Sequence, residues 1–253
     1  MSSNVKDVLD APVIRLDSVD STNNYAAGLI DADKAYHGLT ILANCQTQGK
    51  GQRGNIWKDR PGESVLMSIV LEPSRPVDRQ FELSALVAVA VAEVLRDILS
   101  YSDIFIKYPN DIIINDKKAA GILIENVLRG ALWTHAIAGI GINVYQRSFP
   151  PELPHAGSLM SELGLPESVG LADIAQHIRA RLLYKLRHTP ADEALKVYNQ
   201  YLYKRGQLQL ISLGGALTEV QIVSCASDGR LKVRLPDGTD RDLVHGSFEW
   251  IWQ

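Results

Sequence analysis

Leu83-Ser84-Ala85-Leu86-Val87-Ala88-Val89-Ala90-Val91 is apolar on nearly every side of a helix. A helix without a polar face is buried, here behind a sheet. The pattern predicts its span as Arg79 to Leu99. Strand signals flank it. Leu39 to Ala43 and Ser64 to Leu71 read as strands before it. Ile104-Phe105-Ile106, Ile112-Ile113-Ile114 and Lys118 to Glu125 follow it, the last two joined by a polar turn at Asn115-Asp116. Leu132 to Val144 is a further strand, rich in glycine. Leu16 to Ile30 opens polar and becomes helical, with Ser21 or Asp20 as its cap. Phe149 to Pro154 reads as a loop, and Leu171–Leu186 and Ala191–Lys204 as helices. From Gln207, short β runs alternate with turns at Gly214-Gly215, Asp228-Gly229 and Asp237-Gly238. That spacing suggests a small antiparallel barrel. The expected architecture is α+β: a mixed β-sheet with helices packed on it over residues 1–205, then a small β domain over 206–253.

Composition narrows the function. Of 253 residues, 46% are apolar and 22% charged, an ordinary globular balance. The net charge of -3 argues against a nucleic-acid or membrane-surface binder. It leaves room for a local basic site. Two cysteines, Cys45 and Cys225, make neither a disulfide framework nor a zinc site and suit a cytoplasmic protein. Met1 to Asp10 is polar and lacks the apolar stretch of a signal peptide. The six histidines are scattered without metal spacing. Trp133, Trp250 and Trp252 are expected in the core or at an interface.

Five segments could carry chemistry. Gly49-Lys50-Gly51-Gln52-Arg53-Gly54 matches G-x-G-x-x-G literally, but Pro61-Gly62 closes off the helix a dinucleotide site needs. Gly-Lys-Ser/Thr is absent, so it is not a nucleotide-triphosphatase phosphate loop. What remains is a flexible basic loop able to approach an anion, or a solvated surface loop. In Lys107-Tyr108-Pro109-Asn110-Asp111, an amide and a carboxylate stand at a strand entry. Asp111 suits Mg²⁺ beside a polyphosphate, or Asn110-Asp111 is simply a turn. Lys118 is expected to share a face with Ala120, and Gly121 marks a close approach or a weak strand. In Gly139-Ile140-Gly141-Ile142-Asn143, residues 139, 141 and 143 share one face and 140, 142 and 144 the other. The first face is a trough ending in an amide, able to seat a flat molecule or a packed helix. Ser21-Thr22-Asn23-Asn24 is an N-cap, or meets a polar ligand group.

Taken together and in order, these segments resemble a biotin–protein ligase of the bacterial type. The motifs run from Asp20-Ser21-Thr22-Asn23 through Gln46 to Trp57, Lys107 to Asp111 and Lys118 to Leu123, ending at Gly139 to Asn143. The resemblance implies the class II synthetase-like catalytic fold of biotin and lipoate ligases with a small SH3-like C-terminal barrel. It implies a reaction in which biotin and ATP, with Mg²⁺ as counter-ion, form biotinyl-5′-AMP. A lysine of a biotin carboxyl carrier protein, as in acetyl-CoA carboxylase, then takes the biotin. Ser21, Thr22, Asn23, Gln46, Lys50, Gly51, Gln52, Lys118 and Gly121 then fall to biotin. Arg53, Asn55, Trp57, Lys107, Asn110 and Asn143 fall to the nucleotide, and Asp111 to Mg²⁺. Lys118, Lys50 and Arg53 are the implied catalytic cations. Homodimerisation by sheet extension is common in the family and stays open here. The catalytic pattern begins within about 15 residues of Met1, which leaves no room for the helix-turn-helix domain of repressor relatives.

Lipoate–protein ligase is the nearest rival; a non-catalytic binding module and a dinucleotide oxidoreductase stand further off. The loop often reads Gly-Arg-Gly-Arg-Arg-Gly in the family. Here Lys50 keeps a charge without the arginine fork, and Gln52 carries none. Weaker retention of the adenylate follows. Gln52→Arg is expected to slow adenylate dissociation; equal rates in the two proteins would refute this.

Overall fold

The computed structural model describes residues 11–73, 76–165 and 169–252. The polar Met1–Asp10 segment lies outside them. Strands β1 (Val13–Leu16), β2 (Thr40–Ala43), β3 (Ser64–Leu71), β4 (Ile104–Lys107), β5 (Asp111–Ile114), β6 (Lys117–Arg129) and β7 (Leu132–Asn143) form one sheet. Its order is β1-β2-β3-β7-β6-β5-β4. β1 pairs parallel with β2 and every other pairing is antiparallel, so the sheet is mixed.

Helix α1 (Thr22–Asp31) packs on one face of this sheet and α2 (Gln80–Leu99) on the other. As its sequence requires, α2 is buried from Leu83 through Ala92 except at Ser84. Short α3 (Leu159–Leu163) precedes α4 (Leu171–His188) and α5 (Ala191–Gln200), and both longer helices pack on α2. On the α1 face, Ala26 and Ile30 meet Ile41, Val70 and Ile137. Beyond α1 that face is left for the site.

β8 (Leu208–Leu213), β9 (Ala216–Cys225), β10 (Leu231–Arg234), β11 (Asp240–Leu243) and β12 (Phe248–Trp250) form a second, antiparallel sheet of order β11-β10-β9-β8-β12. The expected α+β architecture is therefore observed.

Some elements differ from the sequence reading. β1 is an additional edge strand. α3 is capped by Ser158, whose hydroxyl and that of Ser161 form a reciprocal box. α5 ends at Gln200, short of the predicted Lys204. The chain instead turns to the sheet edge, where Ile106 N donates to Tyr201 O and Tyr203 N to Ile106 O. Ser21 occupies the cap position of α1, but its side chain makes no capping hydrogen bond. Among the described residues no helix is long and apolar enough to cross a membrane.

Leu86 is fully buried between sheet and helices. Leu86→Ala is expected to cost about 2–5 kcal/mol, read as a lower urea midpoint at unchanged slope. A loss below about 1 kcal/mol would show that α2 is not the centre of the core.

Candidate active site

The strand register sorts side chains between core and site. Gly121 stands opposite Gly141, and Leu123 opposite Gly139. Ile140, Ile142 and Val144 point to the α2 side and are buried there. The other face is bare at three positions, and two side chains fill the trough this leaves. A Cβ at Gly139 would lie 2.4 Å from Asn23 Oδ1, and one at Gly141 2.7 Å from Trp57 Cε2. At Gly121 it would lie 3.0 Å from Trp57 Cζ3. The first two distances are shorter than real side chains show, and the third is tight. Glycine is thus required for the close approach of the Asn23 amide and the Trp57 indole.

The start of α1 enters a buried polar chain. Thr22 N and Oγ1 both donate to Gln46 Oε1, at 2.8 and 3.1 Å. Ser68 Oγ lies 2.7 Å from Thr22 Oγ1 and 2.6 Å from Asn23 Oδ1. Asn23 Nδ2 donates to Glu125 Oε2 at 2.7 Å. Glu125 Oε1 also pairs with Lys50 Nζ at 3.1 Å. The helix start thereby touches both the sheet and the basic loop.

That loop folds back on itself. Gly51 N donates to Asn55 O and Trp57 N to Gly49 O, around a tight turn at Gln52–Gly54. Arg53, at φ 57°, is left-handed within the turn. Its guanidinium lies across Gly246 and donates from Nη2 to His245 O at 3.1 Å. The loop therefore bridges the two sheets.

Lys118 requires a correction. A bulge between Ile112 and Ile113 shifts the register, so that Ile112 faces Ala120 and Ile113 faces Lys118. Ala119 is the extra residue, and simple alternation fails there. Lys118 lies on the face of Gly121, not of Ala120: a Cβ at Gly121 would be 3.4 Å from Lys118 Nζ. The ammonium pairs with Asp111 Oδ1 at 2.7 Å and sits 6.0 Å from the Trp57 ring centroid.

These groups wall one cavity of ≈ 280 Å³. Ser21, Thr22, Asn23, Gln46, Lys50, Gly51, Gln52, Arg53, Asn55 and Trp57 line it, as do Lys107, Asn110, Asp111, Lys118 and Gly121. Asn143 does not. It is buried, and its Nδ2 donates to Gly157 O at 2.9 Å. Asn110 donates its amide to Ile122 O at the cavity wall.

The second sheet adds residues the sequence did not single out. His245, Phe248 and Trp250 also line the cavity, so Trp250 belongs to the site wall as well as the interface. Their signal lies in three-dimensional closure, since no motif surrounds them. Lys107 Nζ lies 5.0 Å from the ring centroids of both Trp250 and Trp252. Burial lowers the Lys107 pKa, with Asp111 opposing and Lys118 reinforcing that shift. Burial, then Arg53 and Lys107, holds His245 below the usual imidazole value.

Four cations, Lys50, Arg53, Lys107 and Lys118, face the cavity against one carboxylate, Asp111. A concave site of that sign attracts and holds a polyanion. Among the described residues no group of three His, Cys, Asp or Glu side chains could hold a metal.

The sequence profile of the Biotin/lipoate A/B protein ligase family matches residues 16–143. The chain belongs to this family. It is 34% identical over 174 residues to the bifunctional ligase/repressor BirA of Bacillus spizizenii, covering 68% of this chain and 53% of that protein. Similarity to the human biotin–protein ligase is 30% over 231 residues, covering 82% of this chain and 31% of the relative. The chain thus spans about half the length of the BirA relatives. In fold it is similar to the Aquifex aeolicus biotin protein ligase solved in complex with biotin and ATP. The TM-score is 0.78 at 24% identity, over 95% of this chain and 99% of that one.

Gly141→Ala sets a methyl against the Trp57 indole. It is expected to lift the 46–62 loop and speed proteolytic cleavage within it. Cleavage at the parent rate would contradict the seating of Trp57 on this strand.

Proposed function

We propose that this chain is an ATP-dependent ligase that activates biotin as biotinyl-5′-AMP and transfers the biotin to a lysine of a biotin carboxyl carrier protein, such as that of acetyl-CoA carboxylase. Residues 1–205 act as the substrate-binding body and 206–253 as a cap, in a cytoplasmic enzyme. One observation carries the reading: in a member of this family, segments distant in sequence converge on a single cationic cavity with a glycine floor.

Two anions must meet for the first step. A biotin carboxylate oxygen attacks the α-phosphorus of ATP, the new C–O–P link forms, and pyrophosphate leaves. Lys118 stands beside Gly121 on the cavity floor, steered by Asp111. An ammonium there reduces the repulsion between carboxylate and phosphate. A unit charge pair at ~4 Å contributes on the order of 4 kcal/mol at an effective dielectric of 20. Lys107 and Arg53 face the same space and suit the phosphates. A polyanion beside Lys107 offsets the burial that disfavours its charge. Mg²⁺, as the triphosphate's counter-ion, takes one or two protein carboxylates and otherwise phosphate or water oxygens. Asp111 fits as one such ligand.

In the second step the carrier lysine amine attacks the acyl carbon, the amide forms, and AMP leaves. The adenylate must survive until then. The Gly49–Trp57 flap covers the cavity, excluding water while the intermediate waits. Its contact with the second sheet through Arg53 gives the cap a part in that closure.

Biotin-dependent ATP–pyrophosphate exchange tests the reading, with lipoate as the competing acid. Exchange with lipoate alone would overturn it in favour of lipoate ligation. Lys118→Ala is expected to lower the adenylation rate roughly 10²- to 10³-fold, by analogy with loss of an oxyanion donor. A parental rate in that variant would remove Lys118 from the mechanism.

A further inference from the structure

We propose that Glu125 is a positioning residue of the flap, tying Lys50 to Asn23 so that the loop and the helix start close as one unit. The inference deepens the ligase reading and rests on it. The strand register puts Glu125 on the site face of β6, four residues beyond Gly121 and opposite Ile137. From there its two oxygens serve different elements. Oε2 accepts from Asn23 Nδ2 at 2.7 Å, and Oε1 pairs with Lys50 Nζ at 3.1 Å.

The two arms differ in character. Asn23 is buried, pressed onto Gly139 and backed by Ser68, so its amide has one orientation. It is a rigid post. Lys50 belongs to the movable loop, and the Lys50 and Glu125 side chains are 41% and 37% exposed. A pair this exposed is weak and salt-sensitive. Those are the properties of a releasable catch. The flap can be drawn down when the helix start is ordered and still open for the acceptor. The polar chain continues from Asn23 through Ser68 and Thr22 to Gln46, at the start of the loop and four residues before Lys50. Occupancy of the pocket beside Thr22 and Asn23 is therefore communicated to the N-terminal limb of the flap at two points, Gln46 and Lys50.

Glu125→Gln separates the arms, because its amide oxygen still accepts from Asn23 while the negative charge that faces Lys50 is lost. The first readout is proteolytic cleavage within residues 46–62 of the ligand-free protein across a salt series. Cleavage is expected to be about 1.5- to 5-fold faster in Glu125→Gln at low salt, converging with the parent at high salt. The second readout is dissociation of biotinyl-5′-AMP from protein loaded with biotin and ATP. It is expected to speed up by a similar factor while the adenylation rate at saturating substrates holds. Lys50→Gln, which removes the charge from the other arm, is expected to speed cleavage as much as Glu125→Gln, and the double variant no further, which a purely structural role for Glu125 would not produce.

Unchanged or slower cleavage in Glu125→Gln, or fully additive effects of Glu125→Gln and Lys50→Gln, overturns the proposal. If the parent forms no adenylate, the ligase reading falls instead, and the cleavage series still decides whether Glu125 holds the loop.

Discussion

The site depends on three places where the sheet carries no side chain. Gly121, Gly139 and Gly141 share one face of β6 and β7, and two foreign groups descend onto them. Asn23 brings the start of α1 down to the strand, and Trp57 brings the flap. Each would collide with a methyl group. Backbone bareness, rather than any single reactive side chain, is what lets helix, loop and sheet meet around one cavity.

Charge is arranged on that frame with the same economy. Among the described residues, the cavity's lysine and arginine side chains come from the loop and from the ends of β4 and β6. Each is steered by a distinct partner: Lys118 by Asp111, Lys50 by Glu125, Arg53 by the His245 carbonyl, Lys107 by two indoles. A set of positive groups held apart in this way would repel itself if desolvated together. The carboxylates and ring faces offset that repulsion until a polyanion replaces them. The C-terminal β unit contributes three of these partners, the His245 carbonyl and the Trp250 and Trp252 indoles.

Much of this was legible in the sequence because it rested on local patterns. The all-apolar Leu83–Val91 run announced a helix sealed behind the sheet. Alternation through Gly139–Val144 separated the buried Ile140, Ile142 and Val144 from the bare Gly139 and Gly141, because no bulge interrupts β7 beside β3. The same alternation misplaced Lys118, since a one-residue bulge inverts every face beyond it. The trough was foreseen, but its occupants were not: Asn23 and Trp57 reach it from far along the chain. His245, Phe248 and Trp250 had no local signature, as their role arises from docking of one sheet against the other. Glu125 looked like the last residue of a strand, and only the register shows it meeting both Asn23 and Lys50. Asn143, read as a nucleotide contact, donates to the Gly157 carbonyl and is not among the cavity-lining residues.

The most direct measurement is a crystal structure of this chain grown with biotin and ATP and without acceptor. The account predicts a biotinyl-5′-AMP within this cavity beside Trp57, with its mixed anhydride beside Lys118 Nζ and the Gly49–Trp57 loop closed across it. Absence of an acyl-nucleotide, or one bound away from both the loop and Lys118, would contradict it.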